Sequence, residues 1–263
     1  SHLFVSAERL PASDCLTILH PDDGRPVFVF PWEGRTCIGT TDLDHRDDLS
    51  FEPVCTRAEV DYLLKLVNGQ FPQAALQDDD IISTMAGVRP IIASGKGIDP
   101  SKERRDHAVW SHGGVTTVSG GKLTTFRLIA LDALLAAGLI DADDHGANQT
   151  PKERMFRFAV NPPHRLGHPL AALPTGEALL DQVRWVLENE MVVRLDDLLL
   201  RRTRIGNLLP QGGKALLADI KPLCQQQLGW NDAEWDAEVS RYLDIVARYY
   251  SVPQTGNRVA NAA

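Results

Sequence analysis

The chain reads as an α+β protein: an antiparallel sheet with flanking helices, followed by a small all-helical C-terminal domain. Three observations point there. The first third is β-rich, with short apolar runs separated by turn residues. Thr56-Arg57-Ala58-Glu59 then has the pattern of a capping box in front of an amphipathic run. Beyond about residue 175, apolar residues recur at helical spacing to the end.

In order, Leu16–Leu19 and Val27–Phe30 flank Pro21-Asp22-Asp23-Gly24, a hairpin pattern. Trp32-Glu33-Gly34-Arg35 turns the chain into a further strand, Thr36–Thr40, so the strands form a meander. The helix behind the capping box carries Val60, Leu63, Leu64 and Val67 inward, and Gly69 and Pro72 end it. Ile81–Ile92 is apolar apart from one arginine, and Ser94–Arg104 is a polar loop. Strands near His107–Trp110 and Val115–Val118 lead to Gly120-Gly121, after which Leu128, Ile129, Leu131, Leu134 and Leu135 trace a helix face. Residues 1–140 thus form one portion. A Gly-, Asn- and Pro-containing linker spans 141–175, and 176–263 is helical. There Glu177–Leu200 is a helix stopped by Arg201–Arg204 and Gly206, and Asn231-Asp232-Ala233-Glu234 caps a last helix through Val239, Leu243, Ile245 and Val246.

Composition excludes several functions. A net charge of −8 over 263 residues argues against a nucleic-acid surface. No apolar run approaches the roughly 18–20 residues that cross a bilayer. Cys15, Cys37, Cys55 and Cys224 have no Cys-x-x-Cys or Cys/His spacing, so they read as reduced packing thiols with no metal site. Ser1-His2-Leu3-Phe4-Val5 opens directly in strand-like residues, the start expected of a chain cut from something longer.

Chemistry concentrates at a few positions. A strand that turns into a helix through Gly120-Gly121 leaves the first helical N–H groups bare, and Lys122 adds a charge beside them. Such a turn suits an anionic or electron-accepting ligand; taken alone it is equally a glycine-rich connection. Arg89, amid Val88, Pro90 and Ile91, reads either as a structural ion pair or as a fork for phosphate or carboxylate. Lys102–His107 is a mixed-charge run of the kind found on solvated loops, yet Arg105 directly precedes a strand that would aim it. His2, as a neutral imidazole on a strand, would be able to take a hydroxyl proton. Gly39-Thr40-Thr41-Asp42 fits either a pocket lining or a turn.

Six of these stretches occur in the same order in FAD-dependent glycerol-3-phosphate dehydrogenases: Ser1–Val5, Gly39–Asp42, Ala86–Pro90, Arg105-Asp106, Gly120–Arg127 and Asp196–Arg204. The chain resembles that family from residue 1 to about 206, and more loosely beyond. It departs in two ways. The family's Gly-x-Gly-x-x-Gly unit for the ADP half of FAD is absent from the sequence, and the stretch from Arg127 to Glu188 is shorter than the family pattern. The resemblance implies that residues 1–140 bind substrate and complete the flavin site. His2 would be the base for the C2 hydroxyl of glycerol 3-phosphate. Arg89 and Arg105 would hold the phosphate and orient C2, with all three counted as catalytic. Gly120, Gly121, Lys122, Leu123 and Thr124 would lie against the flavin ring of FAD, with Lys122 reaching flavin or substrate. The implied product is dihydroxyacetone phosphate, with electrons passed to quinone, or to oxygen in the related oxidases. The implied partners are the N-terminal FAD-binding portion and a second copy in a homodimer. The implied location is cytoplasmic, with peripheral contact at the inner face of the cell membrane. Lys152, Arg154 and Arg157 among Met155, Phe156 and Phe158 are the local support for that contact, and equally suit a helix packed on its own domain.

Overall fold

The computed structural model describes residues 1–90, 106–148 and 174–253. They fall into two compact units, Ser1–Gly87 with Pro162–Ala263, and Val88–Asn161.

The first unit is built on a five-stranded antiparallel sheet: β1 (His2–Ser6), β2 (Leu16–Leu19), β3 (Pro26–Trp32), β4 (Arg35–Gly39) and β5 (Ile81–Met85), in the order β2-β3-β4-β1-β5. The expected meander is present, and β1 is inserted between β4 and β5 as a central strand. This position explains its unbroken apolar run. Leu3 and Val5 point to one face, where Val27, Val29 and Ile38 pack beneath helix α1 (Arg57–Gln70). Phe4 points to the other, with Cys37, Phe30, Trp32 and Met85. Both faces need cover, so both must meet another layer.

Helix α1 begins as the sequence predicts: Thr56 and Glu59 form a reciprocal capping box, and the helix ends at Phe71. The second face is covered by Leu208, from the short helix α5 (Ile205–Leu208). Hydrogen bonds reinforce this contact: Arg35 Nε donates to the Leu208 carbonyl at 2.7 Å, and Ser83 Oγ to the Asn207 carbonyl at 2.6 Å. The C-terminal helices therefore join the sheet in one unit, whereas the sequence reading sets 176–263 apart as a domain of its own. Leu208 is one ordinary apolar residue among many, and nothing local marks it as the cap of a distant sheet.

The helical part comprises α4 (Glu177–Asn189), a π-helical turn (Asp197–Arg202), α5, α6 (Leu217–Leu228) and α7 (Asp232–Tyr249) around Leu195, Leu198, Leu199, Ile220 and Tyr242. The single helix expected over Glu177–Leu200 is interrupted after Asn189. Asp197 explains the break, because its carboxylate accepts from the Val193 and Arg194 amides at 3.1 and 2.9 Å and restarts the helix there. Asn231 and Glu234 cap α7 as expected.

The second unit is smaller. Strands β6 (His107–His112) and β7 (Val115–Gly120) form a two-stranded hairpin, followed by a 3₁₀ turn (Leu123–Thr125), α2 (Phe126–Ala136) and α3 (Ala142–Asn148). The rest of the expected linker, up to residue 173, lies outside the described residues.

Candidate functional site

In the first unit, His2 opens β1 opposite Gly39 of β4 and Met85 of β5. A Cβ built on Gly39 would come within 2.2 Å of His2 Cδ2, so glycine at that position makes the room the imidazole occupies. Burial pulls the His2 pKa down to about 4, with a smaller contribution from the positive charge of the chain's amino group. The ring is therefore neutral at physiological pH, with a free lone pair but weaker basicity than an ordinary imidazole.

Gly39-Thr40-Thr41-Asp42 serves the helix rather than an open pocket. Thr41 Oγ1 donates to Glu59 Oε1 at 2.5 Å, and Ser1 Oγ donates to the same oxygen at 2.9 Å. Glu59 also accepts from the Thr56 amide. These hydrogen bonds outweigh its burial and keep its carboxyl below the usual range. The strand end and the α1 cap are thus one polar cluster.

In the second unit, Arg89 is exposed, as are its neighbours Val88 and Pro90. The apolar sequence context therefore does not translate into burial, because β5 has ended at Met85 and the chain has left the sheet. Arg105 lies outside the described residues, so the proposed pair of arginines is represented by Arg89.

The strand-to-helix turn has the expected form. Gly120 and Gly121 have φ of +77° and +79°. At Gly121 a Cβ would also come within 2.6 Å of Ile129 Cδ1, so glycine is required both by conformation and by the close approach of α2. Lys122, Leu123 and Thr124 are exposed, and no side chain caps the 3₁₀ turn or α2. Thr125 Oγ1 donates to the Lys122 carbonyl at 3.0 Å, away from the amides. Exposed residues at an uncapped helix start fit the electron-rich edge of an aromatic cofactor or an anion.

The turn is also tied to a cluster that sequence reasoning missed. Gly121 N–H donates to the Asp106 carbonyl at 3.2 Å, and His107 Nε2 lies 2.6 Å from Asp132 Oδ2. His145 Nε2 lies 2.6 Å from Oδ1 of the same carboxylate. No spacing rule links positions 107, 132 and 145. Two surface concavities, about 290 Å³ beside Arg194, Trp230 and Glu238 and about 600 Å³ beside Arg57, Asp61 and Asp78, contain none of the expected residues. Among the described residues no group of metal-ligating side chains is arranged to hold a metal ion.

Comparison with known proteins divides the chain differently from the two structural units. Residues 2–127 match the family described as FAD dependent oxidoreductase, and residues 154–235 match the C-terminal domain of alpha-glycerophosphate oxidase. A glycerol-3-phosphate dehydrogenase of Mycobacterium leprae is 31% identical over 280 residues, covering 92% of this chain and 47% of the relative. The aerobic glycerol-3-phosphate dehydrogenase of Staphylococcus epidermidis is 38% identical over 132 residues, half of this chain and 23% of the relative. The X-ray structure of the glycerol-3-phosphate dehydrogenase from Bacillus halodurans complexed with FAD shares the fold, with a TM-score of 0.62 at 22% identity over 96% of this chain and 56% of that one. The chain spans about half the length of the relatives it matches along nearly its whole length.

Proposed function

Since the chain belongs to the FAD-dependent glycerol-3-phosphate dehydrogenase family, we propose that it supplies the substrate side of a flavoprotein that oxidises sn-glycerol 3-phosphate to dihydroxyacetone phosphate and passes the electrons to quinone. The class is oxidoreductase and the family's cofactor is FAD. The observation that carries the reading is the Gly120-Gly121 turn leading into an uncapped helix start, inside the stretch that matches the oxidoreductase family.

When bound, FAD would supply the hydride acceptor for C2. Everything else falls to protein groups. His2, half-buried and neutral at physiological pH, would take the C2 hydroxyl proton onto an imidazole nitrogen. Arg89, with Arg105, holds the phosphate; the exposed position of Arg89 suits a ligand that arrives fully hydrated. The amides of residues 122–124 and the Lys122 charge favour negative charge on an adjacent reduced ring. In a protein carrying the family's nucleotide-binding segment as well, Arg89→Ala should lower kcat/KM by a factor worth roughly 1.5–3 kcal/mol, about tenfold or more. Near-wild-type kinetics would remove Arg89 from the site.

These 263 residues contain no Gly-x-Gly-x-x-Gly turn, so the chain by itself is expected to retain FAD weakly and to act as a non-catalytic piece. Stoichiometric flavin on the purified chain, with turnover, would overturn that expectation. The alpha-glycerophosphate oxidase match favours a second reading, in which oxygen is the acceptor; hydrogen peroxide formed one-for-one with product would establish it. The proposed location is cytoplasmic with peripheral contact at the inner membrane face, and the proposed assembly a homodimer. The 152–158 segment invoked for membrane contact lies outside the described residues, and no helix among those described is long and apolar enough to span a bilayer.

A further inference from the structure

The roles above leave one side-chain cluster unused. Asp132, in the second turn of α2, receives two imidazoles from two other elements: His107 of β6 on Oδ2 and His145 of α3 on Oδ1, each at 2.6 Å. The three side chains are 37%, 25% and 17% exposed respectively, so the cluster is shielded without being sealed. An ionised carboxylate only accepts, so each neutral ring must donate from Nε2. The hydrogen bond from His145, with that from His107, holds the Asp132 carboxyl below the usual range and keeps it ionised.

His107 is the residue against which both glycines of the turn are fitted. Its backbone is paired with Gly120 in the last rung of the hairpin. Its Cβ lies where a side chain on Gly121 would come within 3.1 Å. The adjoining Asp106 carbonyl accepts the Gly121 amide. Asp132 therefore links the strand before the turn to the helix after it. At the far end of the hairpin, the Ser111 hydroxyl makes a longer contact, 3.5 Å, with the Ala136 carbonyl.

We propose that Asp132 and His107 are positioning residues for the Gly120-Gly121 turn. The carboxylate closes the strand–turn–helix element on itself and so sets how the amides of residues 122–124 face their ligand, while His145 completes the brace from α3. The inference rests on the reading that this turn meets the flavin, and its test separates the two claims.

On the 263-residue chain without flavin, nitrogen-detected imidazole spectra should show His107 and His145 as Nε2–H tautomers. In Asp132→Asn, at least one ring should change tautomer to accept from the new amide. Hydrogen exchange at Gly121 should quicken by about tenfold or more, with amides of β1 and β4 unchanged. Unaltered Gly121 exchange in both Asp132→Asn and His107→Ala would overturn the brace. In the flavin-loaded longer enzyme, Asp132→Asn should shift the visible flavin spectrum and lower kcat several-fold while leaving KM for glycerol 3-phosphate within about twofold. Asp132→Glu should recover part of the loss. Faster Gly121 exchange with an unchanged flavin spectrum and kcat would retain the brace and overturn the assignment of the turn to the flavin, and with it the functional half of the proposal.

Discussion

The sheet-based unit and the hairpin-based unit carry similar apolar sequence patterns and bury them very differently. In the first, β1 is covered on both faces, and Leu3, Val5, Val27 and Ile38 are completely buried. In the second, Leu131 is the one buried apolar side chain among the described residues, whereas Trp110, Val115, Leu123 and Leu139 are 49%, 64%, 87% and 72% exposed. The register places Val109, Ser111 and His107 toward α2 and leaves Trp110, His112 and Val115 on the open face. A two-stranded hairpin is marginal by itself, and α2 packed on one face is what supports it here. The difference teaches that a β-branched strand pattern announces a strand, and says nothing about how many layers cover it.

Mutations of matched chemistry should expose this contrast most strongly. Leu198, fully buried among the C-terminal helices, should cost about 3–5 kcal/mol when changed to Ala, and Leu131→Ala in the hairpin unit about 1–2 kcal/mol. Urea unfolding monitored separately in each unit would check this, and equal losses would break the comparison. His2 comes next. Its unfolded-state pKa is near 6.5 and its folded value about 4, so the unfolded chain binds the proton first as pH falls. Stability should therefore be complete above pH 6.5 and decline toward pH 4, by roughly 3 kcal/mol from this group. His2→Phe should flatten that part of the pH dependence, read as the wild-type-minus-variant difference in urea midpoints.

A smaller effect tests the covering of the sheet's second face. Arg204 pairs with Glu33 and sits 5.7 Å over the Trp32 ring, joining the segment before α5 to the β3–β4 turn. Burial raises the Glu33 carboxyl pKa, with Arg204 pulling it back. Arg204→Ala should cost about 2 kcal/mol, less than a sealed pair because the guanidinium is 31% exposed. A double-mutant cycle with Glu33→Gln measures the coupling, and zero coupling would leave Leu208 as the main fastening.

Much of this was legible from local rules. Thr56 and Glu59 satisfy each other over three residues, and so do Asn231 and Glu234, which is why both helix starts follow from spelling alone. Gly120-Gly121 is likewise a local demand, since positive φ at consecutive positions selects glycine. The candidate site was legible only in part. His2 was found as a base candidate, but its depressed pKa comes from strands 37 and 83 residues away that close over it. Arg89 was read as surrounded by apolar residues because its sequence neighbours are, and the chain leaves the sheet before reaching it. The break after Asn189 was hidden because Asp197 looks like one more polar position on a helix until its carboxylate is seen to cap the amides of Val193 and Arg194.

The amino-acid sequence by itself determined the strand and helix types, their caps, the glycine turn and the family resemblance, because each is written in residues within a few positions of one another. The tertiary structure alone decided that β1 lies inside its sheet between β4 and β5, that Leu208 and Arg204 close that sheet's second face, and that one carboxylate joins His107 to His145. Those outcomes depend on which distant surfaces meet and exclude water together, and no short stretch of chain encodes that meeting.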